Sequence, residues 1–361
     1  MRDILSPAAS PPSYQDLLLD GTDFSFVLPV QSCRAALVYA LEHAGVDGDE
    51  VLLPGYTCYA VQSAVEAVGT PVYVDVTEDF AIDIDKAKQK VTNETAAIVP
   101  VHPYGLPCDM ESVASLAEEH DLTVVEDAAQ ALGTHLTTNA VGTHSDYCVF
   151  SLRFYKDVTV FKGGLVLSED LPAPNSLNRP TARRTKLLGI WMVDRVLNAL
   201  PGRVYEPVRR HVLDPVSRDS SAGVPDPAPT TLSKWDRRLL GQQLAALPDR
   251  IETRRQHARR YDKLLPDDLK QPNATETHSY FRYPVLVEET RREDLCRALR
   301  KRGVGCSPMY AYTIAPDDTC PRAHELSHRV LNLPVHAGIS DTRVRRISKL
   351  VRNYHKDGNL L

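Results

Sequence analysis

Residues 150–164 read FSLRFYKDVTVFKGG. Lys156 stands among aromatic residues just past an apolar run, with Ser151 five residues before it and the pair Gly163-Gly164 behind it. A surface lysine needs no such setting and is ordinarily solvated. A lysine that must lose its proton and attack a carbonyl does need one, because shielding from water disfavours the ammonium form.

Upstream of this stretch the chain alternates two kinds of pattern. EVLLP (50–54), PVYVDV (71–76), AAIVPV (96–101), LTVVE (122–126) and DYCVF (146–150) are short apolar or β-branched runs, as buried parallel strands are. Between them SCRAALVYALEHAG (32–45), TCYAVQSAVEAVG (57–69) and DMESVASLAEEHD (109–121) read as helices. The first two close on glycine, and Asp109 is placed to cap the third. Strand and helix alternating in this way imply a mostly parallel sheet covered on both faces. From about 171 to 231 the pattern breaks into proline-rich and basic sequence. One long helical stretch is then expected over 232–265, followed by a final unit with HSYFRYPVLV (278–287), REDLCRALRKRGV (292–304) and SKLVRNY (348–354). The expected class is α/β. A large domain, 1–240, has a mostly parallel sheet flanked by helices and carries the irregular insert 171–231. A smaller C-terminal α/β domain spans 241–361.

Composition narrows the function classes. At 361 residues the chain exceeds one ordinary core. Its 43% hydrophobic and 25% charged content is that of a globular enzyme, and a net charge of −5 argues against a nucleic-acid footprint. The 7 cysteines are odd in number and form no CxxC pair, so buried thiols in a reducing compartment are expected. MRDILSPAASPPS at the N-terminus lacks an apolar core of signal-peptide length, and the expectation is a cytoplasmic protein.

Ligands of an open parallel sheet sit at the carboxyl ends of the strands. Three of those ends here are chemically unusual: Gly55–Tyr59, His102–Gly105 and Asp127–Gln130. Taken alone, an aspartate at a strand end is ordinarily a cap. Together with Lys156 these residues match what pyridoxal phosphate requires: an amine for its aldehyde, a carboxylate for its pyridine nitrogen, and hydroxyl and amide donors at a helix start for its phosphate. Lys156, Asp127, Ser151 and the start of the SCRAAL helix fill those roles.

The chain resembles the DegT/DnrJ/StrS family of PLP-dependent sugar aminotransferases, in the aspartate-aminotransferase superfamily of fold type I. The resemblance runs through GDEVLLPGYT, IVPVHPYGLPCDM, VVEDAAQALG, VGTHSDYCVFS up to Lys156, and LNLPVHAGIS. It implies that Lys156 holds the cofactor covalently and that Asp127 pairs with the pyridinium nitrogen. It also places Gln130 near the ring hydroxyl and Ser151 on the phosphate. The implied activity is amination of a keto-sugar, nucleotide-linked, with glutamate as donor, in a homodimer.

Several positions depart from the family pattern. Cys33-Arg34 replace the usual Gly-Thr at the phosphate, where either the Arg34 side chain or the backbone makes the contact. Cys58 replaces the usual ring-stacking aromatic, with Tyr56 and Tyr59 beside it, and Lys162 replaces an acidic residue. Where an Asn-x-Arg segment normally reaches the partner's cofactor, the sequence has only PDPAPTT (225–231). The competing readings are another PLP reaction on the same scaffold, elimination or decarboxylation, and a non-catalytic regulatory protein. Members with histidine at the lysine position dehydrate sugars, so Lys156 favours transamination. Residues 183–204, with LLGIWMV flanked by arginines, read either as buried structure or as an interfacial helix touching a membrane surface.

Overall fold

The computed structural model describes residues 13–134, 141–153, 156–171, 227–269, 278–316 and 318–357. The segment 183–204 lies outside the described residues. Among the described residues, no helix is long and apolar enough to cross a membrane.

Seven strands form one sheet: β1 (Phe26–Val30), β2 (Glu50–Pro54), β3 (Thr70–Val74), β4 (Thr95–Ile98), β5 (Thr123–Asp127), β6 (Tyr147–Ser151) and β7 (Gly164–Ser168), in the order β1-β7-β6-β5-β4-β2-β3. The five expected runs are β2 to β6, and all of their pairings are parallel. Strand β7 runs antiparallel to both β6 and β1. FVLPV and GLVLS, which form this edge, are not among the runs expected from the sequence.

Alternation along each strand divides the core between the two faces. Val51, Leu53, Val99, Val125 and Val149 pack with α2 (Cys33–His43) and α3 (Tyr59–Val65) on one side. Leu52, Ile98 and Val124 pack with α4 (Ile84–Lys88) and α5 (Met110–His120) on the other. Cys148, Phe150, Leu165 and Leu167 continue that second side against α1 (Tyr14–Leu19), α6 (Lys234–Ala245) and the start of α7 (Leu247–Leu264). Asp109 caps α5 as expected, its Oδ1 accepting the Ser112 N–H at 3.1 Å. Gly45, at φ +83°, lets the chain turn away after α2.

The expected single helix over 232–265 is two helices that meet at Ala246, with Pro248 in the first turn of the second. Proline has no N–H to continue the first helix, but its fixed φ suits a helix start. Helix α7 then spans two cores. Leu247 and Ile251 pack under the large sheet. Ala258 and Tyr261 belong to a second core with the antiparallel pair β8 (Tyr283–Leu286) and β9 (Val330–Leu333), α8 (Glu289–Lys301) and α10 (Asp341–Asp357). Between α8 and β9 lies α9 (Pro321–Arg329).

The glycine pair behind Lys156 has a spatial reason. A Cβ on Gly164 would lie 2.5 Å from the carbonyl carbon and oxygen of Ser32 and 2.6 Å from Cys33 N. The start of β7 is therefore pressed against the peptide that opens α2, and the obstacle is backbone, which does not yield as a side chain would. Gly164→Ala should lower stability by about 1–3 kcal/mol through overpacking. Urea unfolding of the variant checks this, and an unchanged midpoint would show that the two backbones are not in contact.

Candidate active site

The carboxyl ends of β2, β4, β5 and β6 bring the chemistry-bearing loops together. Asp127 closes β5 and is buried. Its Oδ1 accepts the Ala129 N–H at 2.9 Å, an Asx turn. Its Oδ2 has no hydrogen-bond partner among the described residues. Burial pushes the carboxyl pKa up, and the Ala129 N–H and the nearby Lys156 charge pull it back in part.

Lys156 faces this carboxylate and the Cys33 thiol. Loss of water lowers its pKa from the ordinary lysine value, against the opposing pull of Cys33, Asp127 and Cys58. Its Nζ lies 5.1 Å from the centre of the Phe281 ring. The lysine loop is fastened from below. Gln243 of α6 brackets Thr159, accepting its N–H at 3.2 Å and donating to its carbonyl at 2.9 Å. From α7, Arg250 donates to the Asp157 carbonyl at 3.1 Å and Arg254 pairs with the Asp157 carboxylate at 2.5 Å. Lys162 is exposed.

Sheet register carries Ser151 to the start of α2. Ser151 pairs with Gly164, and Gly164 abuts the Ser32–Cys33 peptide. Ser32 Oγ and the Ser32 carbonyl take the Ala35 and Ala36 amides, which leaves the Cys33 N–H and Ser151 Oγ without partners among the described residues. Arg34 is half-buried in that first turn. Of the PDPAPTT segment, residues 227–231 lie among the described residues, and they run beside β1. Pro229 bridges to Val30, and the Thr230 N–H donates to the Pro29 carbonyl at 2.8 Å, next to the start of α2.

The three stacking candidates separate. Tyr56 is buried, and its hydroxyl lies 2.5 Å from that of Tyr104. Tyr59 is 49% exposed, with its ring stacked on Tyr312 at 4.4 Å. Cys58 is the one of the three that faces Lys156 and Cys33, while its Sγ caps α3. Gln130 sits where expected at the strand end, but its amide is already engaged: Oε1 accepts the Tyr104 N–H at 3.2 Å and Nε2 donates to Tyr310 at 3.0 Å.

Sequence reading singled out His102 at its strand end but missed its pairing with Glu126 under the pocket. His102 and Glu126 are fully buried and lie 2.6 Å apart. His102 Nδ1 accepts the Cys108 N–H at 3.0 Å, so the proton sits on Nε2 and is donated to Glu126. Glu126 also accepts from Ser145 at 2.7 Å and from the Gly142 N–H at 2.9 Å. Burial raises the Glu126 pKa, but the bonds from His102, Ser145 and Gly142 outweigh it and hold the value below the usual glutamate range. Phe281, Arg282 and Tyr310 were missed as well. They come from sequence more than 120 residues past Lys156, and only HSYFRY gave a signal, a cluster of aromatics around an arginine.

A buried lysine and a buried carboxylate thus face each other at the carboxyl ends of a parallel sheet, where ligands of α/β enzymes bind. The chain belongs to the DegT/DnrJ/EryC1/StrS aminotransferase family, whose model matches residues 19–176 and 234–352. It is 27% identical over 340 residues to a GDP-perosamine synthase of Vibrio cholerae, covering 90% of this chain and 85% of that one. It is 29% identical over 330 residues to a UDP-N-acetyl-3-dehydro-alpha-D-glucosamine 3-aminotransferase of Acidithiobacillus ferrooxidans, covering 88% and 81%. Among solved structures, DesV of S. venezuelae in complex with a ketimine intermediate superposes with a TM-score of 0.73 at 25% identity, over 95% of this chain and 88% of that one. Aminotransferases of this family depend on pyridoxal phosphate. The atoms left without partners among the described residues suit that group: Asp127 Oδ2 for a protonated ring nitrogen, and Ser151 Oγ with the Cys33 N–H for a phosphate.

The Glu126 arrangement predicts a pH signature. A carboxylate whose folded pKa is depressed stabilises the fold above its unfolded value, 4.5 here, and loses that contribution as pH falls through the folded value. Glu126→Gln should cost about 1–3 kcal/mol at pH 7, with the gap to wild type narrowing toward pH 3. Denaturant melts at the two pH values test it, and a gap that widens on acidification contradicts the assignment.

Proposed function

We propose that this chain is a pyridoxal phosphate-dependent aminotransferase that turns a nucleotide-linked keto-sugar into an amino-sugar, with glutamate as donor, and that it works as a homodimer. The observation that carries the reading is Lys156, inclined by burial toward its neutral form, facing a carboxylate whose Oδ2 is unclaimed. The nucleotide-sugar names of the two relatives support the substrate class.

When bound, pyridoxal phosphate supplies an aldehyde that condenses with amines and a ring that draws electrons from the adjoining carbon. Lys156 Nζ is the amine that captures it. Burial favours the neutral amine, so Lys156 Nζ would also serve as the base that takes a proton from the reacting carbon and returns it one position away. Asp127, whose Oδ2 is unclaimed, is the carboxylate that would hold the ring nitrogen in its protonated form. Ser151 Oγ and the Cys33 N–H would hold the phosphate, helped by the positive end of α2. Phe281 and Tyr310 wall the pocket on the side of the second core and keep water from Lys156.

Addition of glutamate to the cofactor-loaded protein should replace the visible band of the aldehyde form with the spectrum of the amine form. Elimination or decarboxylation would consume the amino acid without that net conversion. Lys156→Ala should abolish covalent capture of the cofactor, and capture by wild type should speed up with pH, with a midpoint below the ordinary lysine value of 10.5. Asp127→Asn should stay folded and lose nearly all turnover. If the Asx turn were its only role, the variant would lose about 1 kcal/mol of stability and keep its activity. Sedimentation should give twice the 40.1 kDa chain mass, and a fully active monomer would refute the dimer.

A further inference from the structure

The second core holds two thiols in contact. Helix α8 turns Leu295, Cys296 and Leu299 inward, and Cys306 meets them from the irregular stretch that follows the helix. Cys306 Sγ lies 3.6 Å from Cys296 Sγ and 3.5 Å from the Cys296 carbonyl oxygen, and Cys296 Sγ lies 4.0 Å from the Cys306 carbonyl oxygen. Both side chains are buried, but the cover over Cys306 is thin. Val304 is the only buried residue between α8 and Cys306, and glycines stand on either side of it. Gly303 has φ +77°, and a Cβ on the exposed Gly305 would meet nothing within 4 Å. Opening of this short stretch uncovers Cys306 Sγ while α8 keeps Cys296 in place.

We propose that Cys306 and Cys296 form an oxidation site for a small peroxide, with Cys306 attacking and Cys296 resolving. The Cys306 sulfur attacks one peroxide oxygen, and the O–O bond breaks. The thiol is oxidised by two electrons to a sulfenic acid, and the peroxide is reduced by the same two. The Cys296 sulfur then attacks the sulfenic sulfur, the S–O bond breaks and the S–S bond forms. For hydrogen peroxide the two oxygens leave as water, one in each step, carrying the two thiol hydrogens. Cys306 attacks first because it adjoins the opening and because Arg300 stands beside it, donating from Nε to the Cys306 carbonyl at 3.0 Å. In the closed form the contact with Cys296, and then burial, hold the Cys306 thiol protonated, and Arg300 pulls the other way. The thiolate is the nucleophile, so oxidation waits on opening and quickens as pH rises. The resolving step is intramolecular and needs no second encounter.

Cys306 also begins the stretch that walls the pocket. Ser307 is fixed on β9, its N–H donating to the Asn332 carbonyl at 3.3 Å and its carbonyl accepting the Asn332 N–H at 2.9 Å. The Met309 carbonyl accepts the Tyr104 and Tyr56 hydroxyls at 3.2 and 3.3 Å, and Tyr310 accepts Gln130 Nε2. A disulfide holds its sulfurs at about 2.05 Å, so closure draws Cys306 and α8 together by roughly 1.5 Å. That pull falls on the residue next to these anchors, and it shifts Met309 and Tyr310 against Tyr104 and Gln130. The oxidation site stands apart from the reaction proposed above, and only its effect on glutamate rests on that reading.

The test treats the cofactor-loaded full chain with hydrogen peroxide. The mass should fall by two hydrogen atoms, and peptide mapping without reductant should join Cys296 to Cys306. Dithiothreitol should reverse both. Cys296→Ala should stop at the sulfenic acid on Cys306, which dimedone traps. The disulfide form of wild type should need more glutamate for half-conversion of the cofactor, and peroxide should leave the glutamate response of Cys306→Ala unchanged. The wild-type map decides the site even where a variant misfolds. Oxidation of Cys33 or Cys58 with Cys296 and Cys306 still reduced overturns the proposal. A Cys296–Cys306 disulfide with an unaltered glutamate response overturns the link to the pocket. If neither form converts with glutamate, the transamination reading fails instead. The map then still decides the oxidation site, and the rate of cofactor capture by Lys156 reads the pocket in place of glutamate.

Discussion

The hydrogen bond between His102 and Glu126 is the constraint on which the site depends. It joins the loop after β4 to the body of β5, and Glu126 extends the connection to Gly142 and Ser145, just before β6. Three strand ends are therefore fixed relative to one another by one buried carboxylate. Asp127 follows Glu126 directly, and neighbouring residues of a strand point to opposite faces. Glu126 looks down into a nest of donors, while Asp127 looks up into a pocket with a single backbone amide for company. The same chemical group is driven in opposite directions: Glu126 is held ionised, and Asp127 is pushed toward protonation until a cation arrives. The lower carboxylate organises the structure, which leaves the upper one free for chemistry.

A second constraint acts on Lys156. Its loop rests on α6 and α7 through Gln243, Arg250 and Arg254, and α7 also carries the core that supports Phe281 and Arg282. The 278–283 segment lies over the turn at Tyr104 and Gly105. There the Ser279 N–H donates to the Gly105 carbonyl at 2.8 Å, and a Cβ on Gly105 would meet Ser279 Oγ at 2.2 Å. The lysine, the ring beside it and the strand-end loop are thus braced against the same helix and the same turn. A lysine with four rotatable bonds is aimed by what surrounds it, and here both the backbone beneath and the aromatic wall beside it are fixed.

Much of this was readable from local pattern. Continuous β-branched runs of four to six residues marked β2 to β6, because strands buried on both faces leave no polar alternation to confuse the period. Asp127 and Ser151 were readable because each directly follows such a run, and Lys156 because it stands among aromatics five residues past Ser151, ahead of a glycine pair. What escaped has a common physical character. FVLPV and GLVLS are short, and GLVLS pairs antiparallel with both β6 and FVLPV, so only that long-range pairing identifies them. The break at Ala246 turned on a single Pro248 inside an otherwise helical pattern. Arg254, Phe281, Arg282 and Tyr310 enter the site through tertiary packing from sequence distant from Lys156, and no spacing rule connects them to it.

The departures from the family pattern also acquire a physical sense. Cys33 stands where glycine is usual, and its thiol faces Lys156 and Asp127. Burial holds it protonated, first by desolvation and then by repulsion from Asp127, so it brings bulk and weak polarity to the pocket and no charge. Cys58 stands where a ring-stacking aromatic is usual, and Tyr59 beside it is turned outward onto Tyr312. The aromatic surface that remains beside the lysine is Phe281, on the opposite core. Lys156 and Arg282 both lie over the Phe281 ring, at 5.1 Å and 4.3 Å from its centre, so any shift of that ring alters the surroundings of both.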